Sequence, residues 1–245
     1  MRVMHYRTTI LGSGNVGTHL HKAFTQNGVS TNLVSSRTLE GISPSDVYLL
    51  CVKDDAIEET AQRLKEYLEE RLSPTSCIVA HTAGTKPLSL LSRLFPQCGV
   101  FYTKQTFSKQ KALSYTDIPI FIEGSSPTVG QELISLAKTT FSSVSILGSE
   151  ERKRLHVAAV FERNFTHHLM TLADRQMQQI GLDYTSLLTL LEEVVDKIHH
   201  LPPREAQTGP AARRDFSVIN EHLSLIEDEQ TRTIYRLLSQ SIYET

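Results

Sequence analysis

The chain has 245 residues, enough for one large or two modest domains with a sizeable core. Lys and Arg number 25 against 27 Asp and Glu, a net charge of -2, so no uniform positive field exists to hold a phosphate backbone and nucleic acid is not an expected partner. Hydrophobic residues at 40% and charged residues at 21% exclude a disordered, collagen-like or coiled-coil chain, and no apolar stretch approaches the ~18 residues of a membrane span. Met1 to Ile10 contains Arg2, His5 and Arg7 with no apolar run behind them, so neither a secretory signal nor a membrane is expected. Cys51, Cys77 and Cys98 are odd in number and lack metal or redox spacing; they read as reduced thiols in a cytoplasmic protein.

Strand-like and helix-like segments alternate through the first part, the pattern of an α/β domain with a parallel sheet. Thr8 to Leu11 reads as a strand, Val16 to Gln26 as a helix and Val29 to Ser35 as a second strand. Asp46 to Val52 and Cys77 to His81 are short, apolar and rich in β-branched residues, and each precedes an amphipathic stretch, Ile57 to Leu72 and Leu88 to Leu94. Gly99 to Tyr102 and Ile118 to Ile122 are further strands, Val129 to Phe141 a helix and Val144 to Leu147 a last strand. From Glu150 helical periodicity takes over, and a domain boundary is placed at Ser149. Leu155, Ala158, Phe161, Phe165, Leu169 and Leu172 line one long helix that Gly181 stops. Asp183 caps a second helix that ends before Pro202-Pro203, and two more come after it, Phe216 to Ile226 and Glu229 to Tyr243. The expected architecture is a Rossmann-type doubly wound parallel sheet, 1–149, followed by an all-helical domain, 150–245.

Gly12-Ser13-Gly14-Asn15-Val16-Gly17 lies just after a strand and opens a helix, the context in which a G-x-G-x-x-G pattern is informative. The first glycine permits the tight turn, the second lets backbone approach a pyrophosphate, and the third allows close strand–helix packing, with helix N-terminal amides facing the anion. An NAD site places a carboxylate about 20 residues beyond the glycines. Here that stretch reads Leu33-Val34-Ser35-Ser36-Arg37-Thr38, with no carboxylate before Glu40. Ser36 and Thr38 can donate to phosphate, and the Arg37 guanidinium can fork onto a 2′-phosphate, so NADP is favoured over NAD. The alternative is that Arg37 is a solvated surface charge.

Ligands of open α/β sheets sit outside the carboxyl ends of the strands. That brings in Val52 and Lys53 after one strand, with Asp54 and Asp55 beyond them as ligands or helix caps, and His81 and Thr82 after the next. His81 and Thr82 are placed to touch nicotinamide or substrate, or His81 is a structural histidine. In the long helix His156, Arg163 and His167, at about 100° per residue, share a narrow arc, with Asn164 about 80° from His156. That stripe faces either a cleft or water. His167-His168 and His199-His200 lack the i, i+4 spacing of helical metal ligands, so no metal is expected. In Ala206 to Asp215, Thr208 and Pro210 start a helix whose free amides, with Arg213 or Arg214, can face a carboxylate or phosphate; the alternative is a well-capped turn.

Taken together, the Gly12-to-Gly17 fingerprint with Ser36-Arg37, the step His81-Thr82-Ala83-Gly84, Gln105-Thr106-Phe107, the run from His156 to Phe161 with Asn164-Phe165, and Thr208-Gly209-Pro210-Ala211 with Arg213 and Asp215 resemble one family. It comprises Rossmann-like proteins with a C-terminal helical domain of unknown function, often labelled NADP oxidoreductases of the deazaflavin-dependent type. More distantly the layout resembles pyrroline-carboxylate reductase, ketopantoate reductase and the 3-hydroxyacid dehydrogenases. The resemblance implies a helical domain that forms the substrate site and often the dimer interface. Two departures stand out. Hydroxyacid dehydrogenases carry a catalytic Lys four residues before a helical Asn, whereas Val160 precedes Asn164 here, and Thr103-Lys104 stand where relatives carry a Pro and an apolar residue.

These readings converge on an NADPH-dependent reductase of a small carbonyl or imine. His156 is the expected proton donor, because its unperturbed pKa lies near neutrality. Asn164 orients the substrate and Arg213 holds an anionic group on it. The alternative is a protein that senses NADP(H) without turning anything over, which the missing Lys–Asn pair favours. The breadth of the apolar stripe from Glu151 to Ile180 predicts a homodimer through the C-terminal domain.

Overall fold

The computed structural model describes residues 6–71, 77–104 and 114–245. Two compact units divide it, Met1–Ala159 and Val160–Thr245. The first unit contains β1 (Arg7–Leu11), α1 (Asn15–Gln26), β2 (Ser30–Val34), β3 (Val47–Leu50), α2 (Ile57–Arg71), β4 (Ile78–His81), α3 (Ser89–Ser92), β5 (Cys98–Thr103), β6 (Ile120–Gly124), α4 (Pro127–Lys138), β7 (Val144–Ile146) and α5 (Ser149–Ala159). Leu72, expected to end the second helix, and Gln105-Thr106-Phe107 lie outside the described residues.

Side-chain alternation along the strands decides the layering. Ile10, Leu49 and Ala80 enter one core cluster with Leu20, Ala23 and Phe24 of α1 and Leu133 and Leu136 of α4. Their neighbours Leu11, Leu50 and Val79 enter another with Ile57, Ala61, Leu64 and Leu68 of α2 and Leu91 of α3. Strands apolar on both faces are those of a sheet covered by helices on both sides. Its order is β2-β1-β3-β4-β5-β6-β7. The chain leaves β1 outward to β2 and returns across it to β3, and this reversal opens a crevice at the carboxyl ends of β1 and β3. The sheet is parallel, as the sequence pattern predicts, except that β6 runs antiparallel to β5, with Thr103 opposite Ile120. An antiparallel neighbour needs no crossover helix, and the parallel run resumes only when α4 carries the chain from β6 to β7.

A buried ionic network fastens α5 to the sheet. The Arg152 side chain is 1% exposed. Its Nη1 donates to Glu123 Oε2 on β6 at 2.5 Å, and its Nη2 donates to the Lys86 carbonyl at 2.6 Å and to Ser149 Oγ at 3.3 Å. The Ser149 hydroxyl donates to the Glu123 carboxylate at 2.8 Å and accepts the Leu88 amide at 3.2 Å. Three segments, β6, the loop after β4 and the first turn of α5, are thereby held at one point. The first unit ends at Ala159, and the sequence reading places the boundary at Ser149.

In the second unit a π-helical segment, Val160–Phe165, leads to α6 (Thr166–Gln179), α7 (Leu188–His200), the short α8 (Pro203–Ala206), α9 (Phe216–Leu225) and α10 (Glu229–Glu244). Asp183 accepts the Thr185 amide at 2.8 Å ahead of α7. Asp215 and Asp228 cap α9 and α10 through the Val218 and Thr231 amides. His222 and Tyr235 join α9 to α10 at 2.7 Å. Unlike α9 and α10, which bury Ile219 and Thr231, α7 buries none of its 13 residues, although Leu190, Val194 and Val195 are apolar and more than two-fifths exposed.

Replacing Arg152 by Met leaves the Glu123 carboxylate, 18% exposed, with the Ser149 hydroxyl but no opposing charge, and should cost about 3–5 kcal/mol of stability in urea unfolding. The double variant Arg152→Met/Glu123→Leu removes both charges and should recover most of that loss. A single-variant loss below about 1 kcal/mol would contradict the network's role.

Candidate functional site

The glycine turn between β1 and α1 is held by contact with β3. Gly12 has φ 114°, its amide donates to the Val34 carbonyl at 2.9 Å, and the Cys51 amide donates to the Leu11 carbonyl at 2.8 Å. A Cβ on Gly12 would strike the Cys51 carbonyl, and one on Gly17 would strike the Gly12 carbonyl. Ser13, Gly14 and Asn15 are exposed, Val16 is half-buried, and a Cβ built on Gly14 would meet nothing within 4 Å. No side chain caps α1 and its first turn carries no acid. The turn is therefore tight where it touches the sheet and open where α1 presents its amides, a fit for the pyrophosphate of a dinucleotide.

Beside it, β2 pairs with β1 up to Leu11 and Val34 and ends in the loop Ser35 to Leu39. Ser35 Oγ accepts the Arg37 amide at 3.2 Å, and the Ser35 carbonyl accepts the Leu39 amide at 3.1 Å. Leu39 takes a left-handed φ of 58°, held there by a side chain only 4% exposed. Arg37 and Thr38 are exposed and Ser36 is half-buried, so the loop offers hydroxyls and a cation to an anionic ligand.

After β3, Val52 is half-buried and Lys53 exposed. Asp54 and Asp55 do not act as caps: the single turn Asp54–Ala56 has Lys53 at its cap position with no side-chain bond. Asp54 instead accepts Thr85 Oγ1 at 2.5 Å, and Asp55 accepts Lys86 Nζ at 3.2 Å. These bonds join the loops after β3 and β4. His81 is fully buried, its Nδ1 accepts the Ala83 amide at 3.2 Å, and burial, then the charge of Arg152, lowers its pKa to about 4. It is a neutral ring beneath the loop, whereas half-buried Thr82 donates to the Leu50 carbonyl at 3.3 Å at the rim. Burial likewise pushes the Cys51 thiol up to about 12, so it stays protonated.

The loop after β4 meets α5 at Gly84. A Cβ there would lie 2.9 Å from His156 Nδ1 and 2.9 Å from Tyr102 Cε2, so only glycine lets the two rings close over the backbone. Tyr102 Oη and His156 Nδ1 are 3.4 Å apart, and burial raises the Tyr102 pKa, which keeps the phenol protonated and able to donate. The sequence reading names His156 as a site residue and Gly84 within the family step, but it does not single out Tyr102, Arg152 or Glu123. One signal points to Arg152, which stands four residues before His156 and so on the same helical face.

In the second unit Asn164 is exposed within the π-helical segment and Arg213 is exposed in the run after Gly209. A π-turn adds a residue and shifts every later side chain by about 100° from α-helical counting. The arithmetic that puts His156, Arg163 and His167 on one arc therefore stops at Ala159. Thr208 and Pro210 do not start a helix. Residues 210–214 form successive turns in which the Asp215 amide donates to the Pro210 carbonyl at 2.9 Å, and Asp215 caps the next helix. Among the described residues no group of three or more His, Cys, Asp or Glu could hold a metal ion, and no helix is long and apolar enough to cross a membrane.

No curated protein matches the chain. Solved structures do. A Bacteroides fragilis protein designated a candidate NADP oxidoreductase is 34% identical over 98% of each chain, with a TM-score of 0.85. A Thermotoga maritima protein is 18% identical over 97% of each, with a TM-score of 0.73. A reductive aminase from Aspergillus terreus, solved with NADPH and ethyl levulinate, is 14% identical over 98% of this chain and 95% of its own, with a TM-score of 0.67. At those lower identities the likeness is one of fold. The model of a domain of unknown function, DUF2520, matches residues 118–242, a span that takes in β6, α5 and most of the helical unit, and with it the chain belongs to the DUF2520 family.

Proposed function

We propose that this protein is an NADP(H)-dependent oxidoreductase that reduces a small carbonyl or imine. The observation that carries the reading is the pairing of an open glycine turn with an exposed, carboxylate-free loop at the end of β2, where Ser36, Arg37 and Thr38 present a cation and two hydroxyls. The designation of the Bacteroides fragilis relative supports it. When bound, the nicotinamide supplies a hydride. Gly12, Ser13, Gly14, Asn15, Val16 and Gly17 hold the pyrophosphate, Arg37 forks onto the 2′-phosphate, and Val52, Lys53 and Thr82 border the crevice at the strand ends, with His81 supporting the last of these from beneath.

His156 gives the proton. Tyr102 fixes its ring from the Nδ1 side at 3.4 Å and Arg152 fixes its helix, so the imidazolium passes its Nε2 proton to the developing alkoxide or amine and is left as the neutral imidazole. Asn164 and Arg213, both exposed in the second unit, are the groups proposed to orient the substrate and hold an anionic substituent. A second copy of the chain is the proposed cover for the exposed apolar residues of the helical unit, in a cytoplasmic homodimer.

Arg37→Ala should weaken NADPH binding by about 10- to 150-fold, the loss of a charged hydrogen bond, and leave NADH nearly unchanged; calorimetry that finds equal losses rejects the assignment. His156→Gln should keep NADPH affinity while lowering turnover by about 10²–10⁴-fold on a carbonyl or imine found by screening. If no such substrate exhausts NADPH in a broad screen, the sensing alternative takes over. Light scattering at micromolar concentration should give the dimer mass, and a monomer would remove the second copy.

A further inference from the structure

Arg63 of α2, 26 residues beyond Arg37, reaches the same loop from the other side. Its Nη1 donates to the Ser36 carbonyl at 3.2 Å and its Nη2 to the Arg37 carbonyl at 2.5 Å. Two successive peptide oxygens are thus engaged by one planar cation whose donors are fixed in a fork, whereas an ammonium carries three rotatable donors on one nitrogen. The oxygens of this stretch are held by α2. The anchor is rigid, because Ala61 and Leu64, which flank Arg63, share a core cluster with Val34 and Leu39 at the two ends of the loop. Arg63 is half-buried; its bond to the Ser36 carbonyl is part-buried and that to the Arg37 carbonyl is exposed.

From this geometry we infer that Arg63 is the positioning residue for cofactor choice: it holds the Ser36–Arg37 backbone in the shape that aims Arg37 at a 2′-phosphate, and so sets the preference for NADPH over NADH. The inference rests on the NADP(H) reading above. It places part of the selectivity on a helix outside the glycine and β2-end segments from which cofactor preference is read in the sequence.

The test is calorimetric titration of NADPH and NADH into the full-length protein and its Arg63→Ala, Arg63→Lys, Arg37→Ala and double Arg37→Ala/Arg63→Ala variants. Arg63→Ala should weaken NADPH about 5- to 50-fold and NADH less than about twofold, with Arg63→Lys between it and the wild type. In the double variant the loss should fall well short of the product of the single losses, because Arg63 acts through Arg37. Should Arg63→Ala not fold, as judged by circular dichroism, Arg63→Lys and Arg63→Gln report the same ratio. Equal losses for the two cofactors, no loss, or singles that multiply in the double variant would overturn the inference while leaving the Arg37 assignment standing. A wild-type protein that does not prefer NADPH would overturn both.

Discussion

The buried charge of Arg152 is the constraint on which the arrangement of the chemistry depends. A guanidinium removed from water is tolerated only where an opposing charge and backbone engage it, and here its two terminal nitrogens are engaged by Glu123 on β6, Ser149 at the start of α5 and the Lys86 carbonyl, while its Nε is buried without a hydrogen-bond partner among the described residues. Because those partners come from three segments, the pair fixes all three at once. One helical turn further along α5, His156 is brought against Tyr102 and Gly84. The same charge helps keep the buried His81 neutral. The polar groups at this end of the sheet are therefore one connected structure in which each member is set by its neighbours.

The nucleotide half is built on a different principle, steric exclusion. Gly12 and Gly17 leave no room for a Cβ between β1, α1 and the Cys51 backbone, while Gly14 opens onto empty space. The loop after β2 is then placed by the pairing of β2 with β1, and its conformation is fixed by Ser35, by Leu39 and by Arg63. What distinguishes this loop chemically is the absence of a carboxylate between Val34 and Glu40 together with two arginines, Arg37 within it and Arg63 behind it.

Much of this was legible in the sequence because it rests on local rules. Strand alternation, the glycine turn and the cap at Asp183 are set by residues a few positions apart, and these agree with the structure, whereas the caps at Asp215 and Asp228 are seen only in the structure. What else escaped depends on long-range partners. The reversal of β6 comes from pairing with β5 and leaves no periodic signature. The pairing of Arg152 with Glu123 spans 29 residues, and the clamp of Arg63 on Arg37 spans 26, so neither shows in a window of helical length. Tyr102 reads as an ordinary aromatic in a core strand, and only the missing side chain at Gly84 marks the place where it meets His156. The π-helical turn at Val160–Phe165 likewise defeats a count that assumes an unbroken α-helix.

If this fold selects a 2′-phosphorylated dinucleotide, as proposed, a titration of the unmodified protein with NADPH and NADH under identical salt and pH shows it. A charged hydrogen bond to the 2′-phosphate is worth roughly 1.5–3 kcal/mol, so NADPH should bind at least about tenfold more tightly than NADH. Equal affinities, or a preference for NADH, would contradict the account.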